Sequence, residues 1–284
     1  MKKRLRAGLM AVLLLVFLAS AGMMARQALQ YREGQEIYDE AAELAEVPDL
    51  PDVETSQPSA ASSSAAASSA ASGGASSSAK PASKPVYVDP YAALLKKMDF
   101  TALRKVNGDI LGWIVIPHTV ISYPLLQGED NSYYLTHTYK KTTSVVGAIF
   151  MEYRCSPDLS DFNTIIYGHR MNNGSMFGTL KNYKKQSYWK AHPSVYVTDD
   201  SGSHRYDIFA AYEVSTEGDT FRIAFSSDEE KQAFLDACTG LSVIDTGITP
   251  TVGDRVLTLS TCTGNGHATR WIVQAVLHTE AAAG

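Results

Sequence analysis

Cys262 ends a run of apolar and β-branched residues that begins at Val256, and Arg270 follows eight residues later. A run of this composition predicts a β-strand, which would carry the cysteine at its C-terminal end. A thiol with an ordinary pKa of about 8.5 is only slightly ionised at neutral pH, so a nucleophilic cysteine needs a nearby cation or imidazole. A lone cysteine at the end of such a run is most often a buried packing residue, but Arg270 offers the fixed cation that a nucleophilic Cys262 would need.

A histidine ends a second apolar run, Ile165-Ile166-Tyr167-Gly168-His169. An imidazole with a pKa near 6.5 can donate and accept protons near neutral pH, so His169 is a candidate general acid and base. The main alternative is His267, which lies five residues after Cys262 in a Gly-Asn-Gly-His turn. Each remaining histidine is explained equally well as a surface or core residue.

Thr258-Leu259-Ser260-Thr261-Cys262, Tyr167-Gly168-His169 and the downstream Arg270 closely resemble the active-site motifs of the sortases, specifically class B. The resemblance covers residues 90 to 280. It implies that Cys262 attacks the carbonyl of a threonine in a C-terminal sorting signal, which gives a thioacyl enzyme. It also implies that His169, rather than His267, handles the proton of the departing and incoming amines, and that Arg270 holds a carbonyl oxygen or oxyanion.

Three further residues are candidate substrate-binding positions. Ser260 lies two residues before Cys262, so on an extended strand both side chains face the same way. Asn131 and Leu135 resemble an asparagine and a leucine, also four residues apart, that help line the sorting-signal groove in class B enzymes; an ordinary loop and helix turn is the alternative. Thr263 stands where the best-known class B members have an acidic residue, and a glycine-rich loop is predicted from Thr263 to Thr269, so their signal preference does not carry over directly.

The remaining pattern predicts many short strands and few long helices, which is typical of a barrel or sandwich. The resemblance implies a mostly β (α+β) fold, a closed eight-stranded barrel with N-terminal helices and an extra helix before the catalytic strand. Amphipathic spacing predicts one or two helices between Asp89 and Val106, and others over 175–190 and 227–239. Strands are predicted over 113–116, 121–126, 147–153, 164–169, 194–198, 206–214, 221–224, 255–261 and 271–278.

The N-terminus predicts a membrane anchor. Four basic residues within the first six precede nineteen residues, Ala7 to Ala25, without a charge, which is close to the length needed to span a bilayer. The basic flank predicts a cytoplasmic N-terminus and an extracellular domain. A cleaved signal peptide is the alternative, because Ala19-Ser20-Ala21 has the small-residue pattern of a cleavage site.

A spacer is predicted between the anchor and the enzyme. Residues 31–46 are acidic and alanine-rich and are interpreted as a short helical stalk that acts only as a spacer. Between Ser56 and Lys84, 22 of 29 residues are Ser or Ala, which predicts disorder. A flexible chain over 47–85 would reach about 30 to 40 Å and lift the domain off the membrane. The predicted organisation is an anchor at 1–26, a stalk and linker at 27–88, and a catalytic domain at 89–284.

Charge, cysteine content and motifs limit the partners and cofactors that can be expected. The formal net charge is −5, so no basic surface indicates a nucleic acid partner. Of three cysteines, Cys262 is predicted to be free, while Cys155 and Cys238 either pair or, as we favour, lie buried as thiols. No motif indicates a metal or a cofactor, so none is expected.

The resemblance implies partners outside the cell. These are exported proteins with an LPXTG-like or NPQTN-like signal, and an acceptor amine from peptidoglycan or a pilin lysine, in a Gram-positive envelope. Two other functions are considered. A secreted cysteine protease could use the same dyad, although papain-like enzymes place the cysteine before the histidine. A non-enzymatic peptide-binding module is disfavoured because Cys262, His169 and Arg270 are all present.

Overall fold

The computed structural model describes residues 2–51, 89–264 and 266–278; the side chains of residues 2–7, 266 and 267 are not described. The segment predicted to be disordered, 56–84, lies outside the described residues, as does the side chain of His267.

Eight strands form one closed barrel, as predicted. In chain order they are β1 (Ile110–Val115), β2 (Ser122–Gln127), β3 (Ile149–Met151), β4 (Asn163–Tyr167), β5 (Ser194–Asp199), β6 (Gly202–Ser215), β7 (Val256–Gly264) and β8 (Gly266–Leu277). Around the barrel they follow the order β1, β2, β3, β4, β7, β8, β6 and β5. Closure leaves no unpaired sheet edge among these strands.

The pairing of β4 with β7 is parallel, and so is that of β2 with β3; the other neighbours are antiparallel. Parallel neighbours end at the same rim of a barrel. The C-terminal end of β4, which leads into His169, therefore lies beside the C-terminal end of β7, which carries Cys262. This topology joins two motifs that are separated by ninety-three residues in the chain.

Within the described residues, five α-helices accompany the barrel: α1 (Lys2–Leu44), α2 (Pro90–Leu95), α3 (Thr101–Val106), α4 (Gln186–Ala191) and α5 (Asp228–Leu241). The predicted helices near 89–106 and 227–239 are confirmed. The carboxylate of Asp89 caps α2 by accepting from the Tyr91 and Ala92 N–H groups, and the Ser227 hydroxyl accepts from the Glu230 N–H of α5. The helix predicted from Ser175 starts later, because that stretch begins with turns before a 3₁₀ turn at Leu180–Lys184 and then α4.

The strand predicted over 221–224 is wrong. A 3₁₀ turn occupies Asp219–Phe221, and the chain then continues without a strand partner. The side-chain amide of Asn163 donates to the carbonyls of Thr220 and Arg222, at 3.2 and 2.8 Å. A side chain on β4 therefore holds this segment across the outside of the barrel, in place of a ladder of backbone hydrogen bonds.

The predicted loop between Thr263 and Thr269 is also different in the structure. β7 and β8 continue to Gly264 and Gly266, whose Cα atoms are partners in the ladder, so the two strands form a tight hairpin. Gly264 has a φ of +91°, in the left-handed region that glycine adopts without strain. The hydroxyls of Thr263 and Thr269 lie 2.7 Å apart across this hairpin, which helps to fix its end.

The stalk is more than a spacer. The end of α1 and the residues after it pack on the barrel, with Tyr38, Ala41 and Ala45 buried in the main hydrophobic core and Leu50 packed against it. Helix and barrel are thus joined by side-chain packing before residue 52 is reached. The distance between the apolar N-terminal part of α1 and the barrel is therefore set by the rest of α1 and not by the linker.

Candidate active site

Cys262 and Arg270 are directly opposite each other on the antiparallel strands β7 and β8. Directly paired residues project from the same face of a sheet, so the guanidinium and the thiol share one surface. Cys262 is a free, partly exposed thiol at the rim. The Arg270 Nη1 donates to the carbonyl oxygen of Thr269 at 3.1 Å, which holds the guanidinium near the hairpin.

His169 lies just beyond β4, next to the same rim. The Gly168 N–H donates to the Ser260 carbonyl at 3.2 Å, which ties this strand end to β7. The imidazole is partly exposed, and its Nε2 lies 2.6 Å from the carbonyl oxygen of Leu135. Because a carbonyl oxygen only accepts, Nε2 carries a proton in this contact, and Nδ1 makes no hydrogen bond with the described residues.

Gly168 is required by close packing. A Cβ atom there would lie 2.4 Å from Ile149 Cδ1 and 2.7 Å from a ring carbon of Phe177. The Phe177 N–H also donates to the His169 carbonyl at 2.9 Å. The Tyr-Gly-His sequence thus fixes the backbone of the histidine on both sides.

Ser260 lies on the same face as Cys262, but its surroundings differ from those of a surface hydroxyl. The residue is 2% exposed, and its Oγ has no hydrogen-bond partner among the described residues. The burial of Ser260 separates it from Cys262, which lies two residues further along the same face and is partly exposed.

Asn131 is held by a buried carboxylate. Its Nδ2 donates to Glu152 at 2.6 Å, and its Oδ1 accepts from the Tyr153 N–H at 3.1 Å. Glu152 is 1% exposed and also accepts from Tyr167 at 3.0 Å and from Arg154 at 2.6 Å. Burial by itself would raise the pKa of Glu152, but the hydrogen bonds from Arg154, Asn131 and Tyr167 outweigh it and lower that pKa.

Leu135 is connected to the site mainly through its backbone. Its carbonyl accepts from His169, while its side chain remains 39% exposed. The structure therefore places Leu135 beside His169 and Ser260 beside Cys262. It places Asn131, in the β2–β3 connection, against Glu152, which lies just after β3 and also contacts Tyr167.

The other two cysteines are buried and unpaired. Burial raises the pKa of the Cys155 thiol to about 11, and burial likewise raises the pKa of Cys238. Both thiols are therefore protonated and poorly nucleophilic at neutral pH. Their apolar surroundings agree with the interpretation of Cys155 and Cys238 as packing residues.

Two residues that frame the site were not singled out from the sequence. Glu152 gives no local signal, because its three partners come from different segments. Gly147 has a φ of +57°, and a Cβ there would lie 3.0 Å from His169 Cδ2, so any side chain would press on the imidazole. Gly147 follows two valines, and nothing in that pattern indicates contact with a histidine.

A thiol and a guanidinium on paired strands, with an imidazole at the next strand end, suit acyl transfer through a thioester. On a closed mixed barrel, this chemistry defines a cysteine acyltransferase. The sortase domain family matches residues 114–278. The chain belongs to the sortase family, whose members are cysteine transpeptidases, and its relatives place it with class B.

Those relatives are similar over much of the chain. It is 37% identical over 163 residues to sortase B of Staphylococcus aureus (strain NCTC 8325 / PS 47), a match that covers 57% of this chain and 67% of the relative. The structure of sortase B from B. anthracis in complex with AAEK1 superposes with a TM-score of 0.66 at 30% identity, covering 89% of this chain and 99% of that one. A Staphylococcus aureus sortase B-substrate complex has a TM-score of 0.61 at 35% identity and covers 64% and 85%.

The N-terminal helix α1 has the length and hydropathy of a membrane-spanning segment. Within the described residues, one helix, Gly8–Leu44, is long and apolar enough to cross a membrane, with a mean hydropathy of 2.3 in its most apolar window. None of that window is buried against the rest of the protein. An anchor and a signal sequence both fit this finding.

Proposed function

We propose that this enzyme cleaves a C-terminal sorting signal after threonine, through a thioacyl intermediate, and transfers the exported protein to an amine. The observation that carries the proposal is the direct pairing of Cys262 with Arg270 on adjacent strands, beside the strand end that leads to His169. The acceptor is an amine of peptidoglycan or of a pilin subunit, and the signal is LPXTG-like or NPQTN-like.

Cys262 is the nucleophile. Its thiolate attacks the threonine carbonyl, an oxyanion forms, and collapse of that intermediate expels the amine of the following residue, which must gain a proton. The acceptor amine then attacks the thioester, loses a proton and releases the thiolate. The peptide bond broken in the first half is replaced by one formed in the second, so no external energy source is needed.

His169 supplies and removes those protons. Since Nε2 is occupied by the Leu135 carbonyl, Nδ1 is the nitrogen that serves the leaving and incoming amines. Anchoring one nitrogen fixes the ring plane and the tautomer of the neutral imidazole. The Leu135 carbonyl therefore has the role that an orienting acceptor has in other nucleophile and base pairs.

Arg270 stabilises the oxyanion. Its guanidinium remains charged throughout the cycle and offers a rigid set of donors on the face that also carries the thiol. A positively charged donor fixed beside the reacting carbonyl stabilises the negative charge that develops in the transition state more than it stabilises the neutral substrate.

The sorting signal binds on the same outer face. Ser260 is a candidate contact because it lies on the same face of β7 as Cys262, and the exposed Leu135 side chain offers an apolar contact. Asn131 forms part of the groove wall, where Glu152 fixes its carboxamide and leaves its second amide hydrogen available.

The enzyme is held in the membrane by α1, with its N-terminus in the cytoplasm and the barrel outside. The apolar part of α1 extends from Ala7 to Ala25, between the charged residues Arg6 and Arg26, and the helix then continues to the barrel. The uncharged stretch of nineteen residues, Ala7 to Ala25, is longer than the apolar region of a typical signal peptide, which favours a retained anchor over a cleaved signal peptide. Substrates that share the membrane would meet the active site at high effective concentration.

The test is a transfer assay with the full-length protein in detergent micelles. Peptides carrying different sorting signals are incubated with and without amines such as triglycine, diaminopimelate or a lysine peptide, and products are measured by mass spectrometry. We expect an acyl adduct on Cys262, a new amide with the acceptor, and neither product from Cys262→Ala. Hydrolysis that no amine diverts would instead identify a cysteine protease.

A further inference from the structure

One face of α1 contacts the part of the barrel that surrounds His169. Gly34, Tyr38 and Ala41 follow a spacing of four and three residues, which places them on one side of α1, and Ala45 extends that side in the turn just after the helix ends. Ala41 and Ala45 are fully buried, and Tyr38 is 4% exposed. At Gly34 the fit is so close that a Cβ would lie 2.7 Å from Val146 Cγ1. This set is called the docking face of α1 below.

Tyr38 is the most extensively held residue of the docking face. Its ring meets Tyr123 edge-on, with centroids 5.3 Å apart, and lies 6.0 Å from the ring of Tyr139. Its hydroxyl donates to the carbonyl oxygen of Gly147 at 2.5 Å. An ion pair between Glu40 and Lys140 borders the same contact.

Gly147 connects this hydrogen bond to the imidazole. Its carbonyl faces Tyr38, while its Cα is so close to the ring that a Cβ would lie 3.0 Å from His169 Cδ2. The same hypothetical atom would lie 2.8 Å from the Leu135 carbonyl oxygen, which is the acceptor for His169 Nε2. A single residue therefore separates the tyrosine from both the catalytic ring and the group that orients it.

We propose that Tyr38 is a positioning residue for His169, so that the helix leading out of the membrane segment completes the active site. The proposal rests on the proposed function, since it assigns the histidine a proton-transfer role. Displacing a reacting group by about 1 Å can cost about 100-fold in rate, and catalytic groups need to be held within about 0.5 Å. A hydrogen bond that fixes Gly147 limits how far the imidazole and the Leu135 carbonyl can move.

Tyr38→Phe in the full-length protein removes only the hydroxyl. We expect kcat to fall about 10-fold and KM for the peptide to change less than kcat, because the part of the proposed binding face on β7 and β8 is untouched and only the Leu135 side of it borders Gly147. The pH profile of kcat should also change, since a displaced imidazole transfers protons less efficiently. A purely structural tyrosine would lower stability without moving that profile.

Tyr196→Phe is the matched control. Tyr196 is also a buried tyrosine, on β5 across the barrel, and its hydroxyl donates to Asp89 at 2.9 Å. It should lose stability but keep kcat and the pH profile. If both variants slow the enzyme equally, or if neither does, Tyr38 does not position His169.

Gly34→Ala tests the docking face without altering Tyr38. The new methyl group would press on Val146 and move α1 away from Gly147, so kcat should fall. Adding Val146→Ala makes room for that methyl group and should restore kcat in the double variant. Failure of this rescue, with the single variant slowed, would show that α1 acts by some route other than its seating on the barrel.

A measurement without substrate separates this inference from the proposed function. The pKa of His169 can be followed by NMR from the imidazole carbon resonance in the wild type and in Tyr38→Phe. A change in that pKa supports the positioning role even if no tested peptide is transferred. An unchanged pKa together with unchanged kcat would overturn it, although transfer by the wild type would still support the proposed function.

Discussion

Replacing Glu152 with glutamine tests how the buried carboxylate supports the wall of the proposed groove. Glu152 is 1% exposed and accepts from Asn131, Tyr167 and Arg154 at 2.6, 3.0 and 2.6 Å. A glutamine has nearly the same shape, but it is uncharged and replaces one acceptor oxygen with an NH₂ group. At least one of these donors would then face another donor instead of an acceptor.

The expected loss follows from those contacts. Leaving a buried donor unsatisfied costs about 1 to 3 kcal/mol, and hydrogen bonds to a charged acceptor are the stronger kind. The ion pair with Arg154 adds little, because the Arg154 side chain is 51% exposed and solvent screens it. We therefore expect Glu152→Gln to lower the free energy of unfolding by about 2 to 3 kcal/mol.

The assay is urea unfolding followed by tryptophan fluorescence, with Glu217→Gln as the control because Glu217 is exposed. A lowered pKa means that the Glu152 carboxylate stabilises the fold above its unfolded pKa, near 4.3, and loses this effect as the pH falls. The difference from wild type should be constant above about pH 5 and shrink below it. A difference within about 0.5 kcal/mol of the control at pH 7 would refute the reasoning.

Three further outcomes are expected. His169→Ala should be far more damaging to transfer than His267→Ala, and the reverse order, measured at several pH values, would exchange their roles. Arg270→Lys should lose nearly as much rate as Arg270→Ala, about 100-fold to 1000-fold, since an ammonium keeps the charge but not the planar set of donors; near-normal kinetics would make Arg270 a generic cation. Exchanging residues 56–84 for a Gly/Ser segment of equal length should preserve the attachment of substrate proteins in cells. Exporting residues 27–284 with a cleavable signal should keep peptide cleavage but impair that attachment. Equal attachment by the released and tethered enzymes would favour a cleaved signal peptide.

Local patterns predicted most of the barrel, because strands such as β4 and β7 are apolar runs with clear ends. The error at 221–224 arose because an extended, partly apolar segment need not pair with a strand. Here the segment is held by the side chain of Asn163, which is 57 residues away from Thr220 in the chain. No periodicity of apolar residues indicates such a contact. Strand boundaries near Gly264 were missed for a similar reason, since glycines predict a loop but also allow a tight hairpin.

The sequence likewise predicted one part of the candidate site and missed another. Cys262, His169, Arg270 and Ser260 belong to motifs whose order and spacing can be recognised in the chain. Tyr38 is different, because it lies 109 residues from Gly147 and in a stretch where alanine and acidic residues show no strongly apolar face. Its importance depends on a tertiary contact that composition does not encode.

The docking face of α1 gives the barrel a second connection to the proposed membrane segment, through side-chain packing in addition to the peptide chain. Leu50 packs on the core just before residue 52, and Asp89 is fixed by Tyr196 and Arg205 just after residue 88, so both ends of the intervening segment begin on the barrel. A protease that cuts between them would leave two fragments held together by the α1 interface. In the proposed membrane-anchored arrangement, the enzyme would stay attached after the cut, and its release would be governed by the dissociation rate of α1 rather than by hydrolysis of a peptide bond.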